Sequence, residues 1–237
     1  MYVINHDKKY LIYMYPKSGC STLRVLHAYL SHSPQAQTRE HFEDAHHGIQ
    51  RRDDDNLLKN WDQYTDYCKV LVYRDPYARV VSLFFQKVCG VPGVTYKGEL
   101  YVEPVHLDSS MRTFSQFVDI LVTQRFHCDE HFRPQKVFQK LDNYDQVLEI
   151  SNVRQIFSGI RHDLHKEVNA VFAKTQKEAW NQLEKIQAAP GSYAHYDFLE
   201  DLEGFRAARK VPCKEAMLTP EICAVIDKAY NDDFTSL

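Results

Sequence analysis

Apolar residues are concentrated in short runs along the chain, and each run is followed by a turn and a helical pattern. The first run, over 10–15, predicts a buried strand, and the leucine spacing after it predicts a helix over 20–29. A second strand is predicted over 69–73, and the helix predicted over 78–88 has Pro76 available for its first turn. The chain therefore begins with two strand-turn-helix units.

A third unit is predicted to begin with a strand over 146–150, after which Ser151 is placed to cap a helix. Strands that alternate with helices predict the α/β class, with a parallel sheet flanked by helices and joined by right-handed crossovers. No shift in composition divides the chain, so we expect a single domain over 1–237.

The other segments contain helical patterns and one long loop. Helices are predicted over 113–124, 163–186 and 220–231, and Thr219 is the predicted N-cap of the last one. Segment 89–110 is rich in glycine and proline, which predicts a long loop. A loop of this length either covers a site or moves freely.

Composition excludes several classes of protein. The 237 residues carry a formal net charge of −3 and are 44% hydrophobic, which suits a globular core that needs no disulfide or metal. This balance predicts no broad nucleic-acid-binding surface. The apolar runs are far shorter than the roughly 18 residues of a membrane helix, and segment 1–9 lacks a secretory signal pattern. We therefore expect a cytoplasmic protein with no membrane span; its oligomeric state is left open.

Segment 16–22, the first phosphate turn, lies where the first predicted strand meets its helix. Backbone N–H groups and the positive end of a helix converge there, which favours phosphate binding. Gly19 lets the backbone approach a ligand, Ser21 and Thr22 offer hydroxyl donors, and Lys17 adds a positive charge. An ordinary strand-to-helix turn is the alternative. The lysine precedes the glycine and the first glycine is missing, so this is not a nucleoside triphosphate loop.

Segment 74–82, the second phosphate turn, follows the second predicted strand. Arg74 comes directly after the strand, and Ser82 lies two helical turns further on. Ligands bind at the carboxyl ends of strands in such sheets, so two phosphate-sized sites are expected side by side. Alternatively, Arg74 pairs with Asp75 or caps a helix. Together the two turns predict a nucleotide that carries phosphates at both ends.

These turns resemble motifs of a known family. Residues 15–24 (YPKSGCSTLR) resemble the 5′-phosphosulfate loop of sulfotransferases that use 3′-phosphoadenosine 5′-phosphosulfate (PAPS), especially the Golgi-type carbohydrate sulfotransferases of sulfotransferase family 2. Residues 74–82 (RDPYARVVS) resemble that family's 3′-phosphate motif. Segments 129–135, 144–148 and 230–234 are also similar to family segments. The resemblance runs from about residue 10 to residue 234.

The resemblance implies a P-loop-like sulfotransferase fold, PAPS as co-substrate, adenosine 3′,5′-bisphosphate as product, and a carbohydrate or other hydroxyl acceptor. It places Lys17 at the bridging oxygen, and Arg74 and Ser82 at the 3′-phosphate. The backbone around the 5′-phosphosulfate is that of Ser18, Gly19, Cys20, Ser21 and Thr22. Golgi members carry a membrane anchor and a stem, which the sequence does not show, so we expect a catalytic domain that works in the cytosol.

Sulfuryl transfer needs an in-line approach and a base for the acceptor proton. His46 and His47 are the leading candidates, with His47 favoured, because they precede the 3′-phosphate motif. Some enzymes of the family that the chain resembles place a catalytic histidine in this interval. Two exposed loop histidines are the alternative. His131 is the rival base, and it is equally typical of a packed structural histidine. A sulfuryl group bears less charge than a phosphoryl group, so we expect no metal requirement.

The sequence also offers two alternative functions and a set of candidate acceptor-groove residues. Two other functions stay open: a nucleotide or small-molecule kinase, for which Asp75 is the candidate metal ligand, and a non-catalytic nucleotide-binding protein of the same fold. Tyr96 and Tyr101 are candidates for stacking on sugar rings. The candidate cations of a basic acceptor groove are Arg24, Arg51, Arg52, Lys87 and Lys97.

Overall fold

The structure is a computed structural model that describes residues 2–7, 9–15, 23, 61–89, 94–96, 99–101, 111–123, 130–135, 143–152, 184–208, 210–231 and 233. The chain forms two compact units, the first comprising 1–74 and 137–178, and the second comprising 75–136 and 179–237. The single domain expected over 1–237 stays a prediction. No helix in the described part of the chain is long and apolar enough to span a bilayer.

The described elements are numbered here in chain order. The strands are β1 (Tyr2–Asn5), β2 (Tyr10–Met14), β3 (Cys68–Tyr73), β4 (Val94–Tyr96), β5 (Glu99–Tyr101), β6 (Gln146–Glu149), β7 (Glu184–Ile186) and β8 (Lys210–Pro212). The α-helices are α1 (Pro76–Leu83), α2 (Phe114–Thr123), α3 (Leu202–Ala208), α4 (Lys214–Met217) and α5 (Pro220–Ala229). The 3₁₀ turns are Trp61–Tyr64, Glu130–Phe132 and Ile150–Asn152, and a π-helical turn, Phe84–Val88, continues α1.

The first unit contains a sheet whose described strands have the order β1-β2-β3-β6. Strands β2, β3 and β6 are parallel, whereas β1 runs antiparallel to β2. Every residue of β2 is buried, since it lies between two other strands and is wholly aromatic and aliphatic. The predicted α/β class with a parallel-rich sheet is confirmed, as are the predicted strands over 10–15 and 69–73.

Asp145 fixes the start of β6 against β3. Its carboxylate Oδ2 accepts from the backbone N of Lys69 at 2.7 Å, and its own backbone N donates to the carbonyl of Lys69 at 2.9 Å. These reciprocal bonds determine which residues of the two strands face each other. Segment 144–148, which the sequence singled out by resemblance, therefore has a role in the sheet.

The second unit is built around an aromatic core. Phe84 is fully buried, and its ring lies 5.1–5.5 Å from the rings of Phe85, Phe114, Phe117 and Phe198. The helices predicted over 113–124 and 220–231 are confirmed as α2 and α5. Thr219 caps α5 as predicted, because its hydroxyl accepts from the backbone N of Ile222 at 3.2 Å.

Several predicted elements are wrong in part. The helix predicted over 163–186 does not include its last residues, because 184–186 form β7, which pairs in parallel with β8. The loop predicted over 89–110 contains the antiparallel pair β4 and β5. Ser151 lies inside a 3₁₀ turn, and the helix predicted to follow it lies outside the described residues. The helix predicted over 78–88, with Pro76 in its first turn, is confirmed from Pro76 to Leu83, and it becomes π-helical at Phe84.

Candidate functional site

The parallel strands of the first unit end at a common edge of the sheet. Met14 at the end of β2 pairs with Val72 of β3, and Tyr73 pairs with Glu149 at the end of β6. The first phosphate turn starts two residues after Met14, and Arg74 directly follows β3. Both predicted turns therefore leave the sheet from the edge at which α/β proteins bind ligands.

The first phosphate turn itself lies outside the described residues. This applies to Lys17, to Ser18, Gly19, Cys20, Ser21 and Thr22, and to the candidate bases His46 and His47. The cations Arg24, Arg51, Arg52 and Lys97 also lie outside them. Leu23, next after the turn, is helical and fully buried, in agreement with the predicted helix. The roles assigned to the other residues stay predictions.

Asp75 begins the helix of the second phosphate turn. Its Oδ1 accepts from the backbone N of Ala78 at 2.7 Å and lies 3.3 Å from Nζ of Lys214. Pro76 occupies the first helical turn, where its missing N–H costs nothing. The carboxylate is thus committed to capping α1 and to an ion pair, which disfavours the metal-ligand role that a kinase would require.

Ser82 lies on the less buried side of α1. It is half-buried, as is Ala78 one turn earlier, whereas Val80 and Leu83 are fully buried in the core of the second unit. Arg74 is half-buried at the end of β3. Ser82 is therefore less buried than the core-facing residues of α1, and its role as a phosphate ligand stays a prediction.

Arg79 is a functional candidate that the sequence reasoning missed. Its side chain is fully buried, and its Nη2 donates to two backbone carbonyls, that of His131 at 2.7 Å and that of Arg133 at 2.6 Å. The guanidinium carbon lies 5.7 Å from the ring centroid of Tyr230, within cation–π range. α1 is thereby bound to the segment that carries the rival base, His131.

The C-terminal segment binds the same turn. Tyr230 is fully buried and its hydroxyl donates to the carbonyl of Phe132 at 2.8 Å, while the backbone N of Gln135 donates to the Asp233 carboxylate at 2.8 Å. Burial raises the pKa of the Tyr230 phenol, so the hydroxyl stays protonated and remains a donor. Arg79 of α1, the turn over 130–135, and the side chains of Tyr230 and Asp233, which are separate in sequence, therefore meet at one place.

Comparison with known proteins identifies the family. The family model described as the sulfotransferase family matches residues 1–235, which is nearly the whole chain. The chain belongs to the sulfotransferase family. Neither the curated proteins nor the solved structures contain a significant match. The chain is therefore an enzyme of sulfuryl transfer with the P-loop-like fold of its family, and the family implies PAPS as co-substrate.

Tyr77 links α1 of this sulfotransferase to α5. Its hydroxyl donates to Oδ1 of Asp227 on α5 in a short hydrogen bond. Burial, and then the bond to Asp227, raise the pKa of this phenol. Near neutral pH the tyrosine is therefore a protonated donor that fixes α1 against α5.

The described part of this sulfotransferase also shows the position of one predicted cation and the state of its thiols. Lys87, predicted as a groove cation, is buried on the π-helical turn, so it is not a surface charge. The cysteines that the structure describes, Cys68, Cys89, Cys213 and Cys223, are free thiols. No group of histidine, cysteine and acidic side chains within the described ranges is arranged to hold a metal ion.

Proposed function

We propose that this sulfotransferase transfers the sulfuryl group of PAPS to a hydroxyl group of a carbohydrate. The observation that carries the proposal is that the two phosphate turns follow β2 and β3, neighbouring parallel strands that end at one edge of the sheet. A donor with a phosphosulfate at one end and a 3′-phosphate at the other suits two such adjacent turns.

The donor is bound by residues of both turns. Lys17 contacts the oxygen that bridges sulfur and phosphorus and stabilises the charge that develops on the leaving 5′-phosphate. The backbone N–H groups from Ser18 to Thr22 bind the phosphosulfate. Arg74 forms a bidentate pair with the 3′-phosphate, and the Ser82 hydroxyl donates a further hydrogen bond to it.

The transfer is an in-line displacement at sulfur. The acceptor oxygen forms a bond to sulfur while the bond from sulfur to the bridging oxygen breaks, and a histidine takes the hydroxyl proton. We propose His47 as this base, with His46 and His131 as the competing candidates. The products are a sulfate ester and adenosine 3′,5′-bisphosphate, whose 5′-phosphate carries the charge that Lys17 stabilises.

The proposed carbohydrate acceptor rests on the resemblance to the Golgi-type carbohydrate sulfotransferases. The described surface adds one supporting feature, since Arg133 is an exposed guanidinium on the turn that α1 and the C-terminal segment bind. A uronate or a sulfate on a sugar offers the paired oxygens that such a group prefers.

The test is sulfuryl transfer from radiolabelled PAPS by the purified chain. The acceptors are a desulfated glucuronate-containing glycosaminoglycan, a neutral galacto-oligosaccharide and a simple phenol. We expect label on carbohydrate, and transfer to the phenol alone would refute the carbohydrate acceptor. Lys17→Ala should abolish transfer, while Lys228→Ala, an exposed lysine of α5, is the control and should leave it unchanged.

The base is tested by replacing each candidate histidine separately with alanine. Loss of a general base lowers kcat by about 10²- to 10⁴-fold. We expect this loss in His47→Ala, with smaller effects in His46→Ala and His131→Ala. A variant that keeps full turnover eliminates its histidine as the base.

A further inference from the structure

The buried guanidinium of Arg79 makes contacts that must offset its lost hydration. A guanidinium loses its hydration when it is buried, and an apolar side chain of similar volume would fill the same space without that loss. What an apolar side chain cannot supply is the pair of bonds from Nη2 to the carbonyls of His131 and Arg133. The distinct effect of Arg79 is therefore on the position of this turn.

The turn over 130–135 is fixed at several points of its backbone. Besides the two carbonyls bound by Arg79, the carbonyl of Phe132 and the N–H of Gln135 are bound by the buried side chains of Tyr230 and Asp233. The Phe132 side chain is itself buried, with its ring 6.1 Å from that of Phe117. A turn held in this way gives its outward-facing side chains a fixed base.

Arg133 is the exposed cation of this turn. None of the carboxylates within the described ranges forms an ion pair with it. Arg79 and Ser82 lie three residues apart on α1, so the bonds made by Arg79 also fix the distance from Ser82 to the backbone of Arg133. An exposed guanidinium, on a turn whose backbone is fixed relative to this serine, is suited to a second anion.

We propose that Arg133 binds an anionic group of the acceptor, a carboxylate or a sulfate, and that Arg79 is the positioning residue that holds Arg133 in place. The inference rests on the proposed function, because it assigns the specificity for the acceptor in the same reaction. Arg79 acts through the backbone of the turn and does not touch the acceptor.

The test measures KM and kcat for the glucuronate-containing glycosaminoglycan in Arg133→Gln, Arg79→Met and the double variant. We expect Arg133→Gln to raise the acceptor KM about tenfold, as loss of a charged hydrogen bond does, with the PAPS KM unchanged. Arg79→Met should raise the acceptor KM by a similar factor. The double variant should raise this KM no further, because both changes remove the same interaction, that of Arg133 with the acceptor. Arg112→Gln, an exposed arginine of the same unit, is the matched control and should behave as wild type.

The possible failures give different results. An unchanged acceptor KM in Arg133→Gln, or KM effects that multiply in the double variant, overturns the inference. A purely structural Arg79 would lower Tm and the active fraction, and hence kcat, but would leave the acceptor KM unchanged. If Arg79→Met does not fold, Arg79→Lys and Tyr230→Phe loosen the same turn and must raise the same KM. A wild-type chain that transfers nothing from PAPS overturns the proposed function itself.

Discussion

Replacement of Asp75 distinguishes a helix cap from a metal ligand. Its Oδ1 accepts from the backbone N of Ala78 and lies beside Nζ of Lys214. Asp75→Ala removes the cap, the charge and the ion pair together. Asp75→Asn keeps an oxygen in the capping position and removes only the charge, so the two variants separate these contributions.

The expected losses in the free energy of unfolding depend on how exposed Asp75 and Lys214 are. Loss of an N-cap costs about 1 kcal/mol. The charge at the helix start and the Lys214 ion pair, whose side chains are 28% and 36% exposed, together add at most about 1 kcal/mol. We therefore expect Asp75→Ala to lower the free energy of unfolding by about 1.5–2 kcal/mol and Asp75→Asn by about 0.5–1 kcal/mol.

The assays are denaturant unfolding and sulfuryl transfer from PAPS. Lys214→Met is the control for the ion pair alone, and it should lower the free energy of unfolding by no more than Asp75→Asn does. We expect Asp75→Asn to keep most of its activity, because no step of sulfuryl transfer uses this carboxylate. If Asp75 held a metal that catalysis requires, Asp75→Asn would be inactive. Equal destabilisation by Ala and Asn would refute the capping argument.

Three other outcomes are expected. Phe84→Ala should lower the free energy of unfolding by about 3–5 kcal/mol in chemical denaturation, because the ring is fully buried among other phenylalanines; a loss below about 1 kcal/mol would contradict this packing. The raised pKa of Tyr77 means that the unfolded chain loses this proton first, so stability should fall above about pH 10, and Tyr77→Phe should make the fall shallower; an identical alkaline profile would oppose the assignment. Chelation by EDTA should leave sulfuryl transfer unchanged, and abolished turnover would show that a metal is required.

The strongest local patterns predicted the sheet and helices well. The run over 10–15 is continuously aromatic and aliphatic, which suits a strand buried between two others, and β2 is such a strand. Thr219 and Pro220 together mark the start of α5, because the cap and the fixed proline φ act within one turn. Elements determined by nearby residues could therefore be predicted from the sequence.

Elements determined by distant partners could not be predicted from the sequence. Glu184–Ile186 has two charged residues and one apolar residue, too short a pattern to predict a strand, and it forms β7 by pairing with Lys210–Pro212. β1, with four residues, is likewise stabilised by its pairing with β2. Such short strands carry little periodicity of their own, so tertiary pairing decides their conformation.

In the candidate site, too, residues marked by local spacing could be proposed from the sequence, and a residue with distant partners could not. Arg74 and Ser82 could be proposed because their spacing after a strand is a local feature. The structure describes β3 and α1 close to the predicted bounds, and the phosphate-binding roles of the two residues stay predictions. Arg79 was missed because a charged residue in a helical pattern indicates a surface position, whereas its partners are carbonyls 52 and 54 residues away. The role of segment 129–135 depended on the same distant contacts.

Calorimetric titration with adenosine 3′,5′-bisphosphate and with ATP tests the central claim most directly. A PAPS-dependent sulfotransferase should bind the bisphosphate more tightly than ATP, and Arg74→Ala should weaken that binding by about tenfold or more, while the exposed Arg112→Ala should not. Tighter binding of ATP, or full bisphosphate affinity in Arg74→Ala, would contradict the assignment of the two phosphate turns to PAPS.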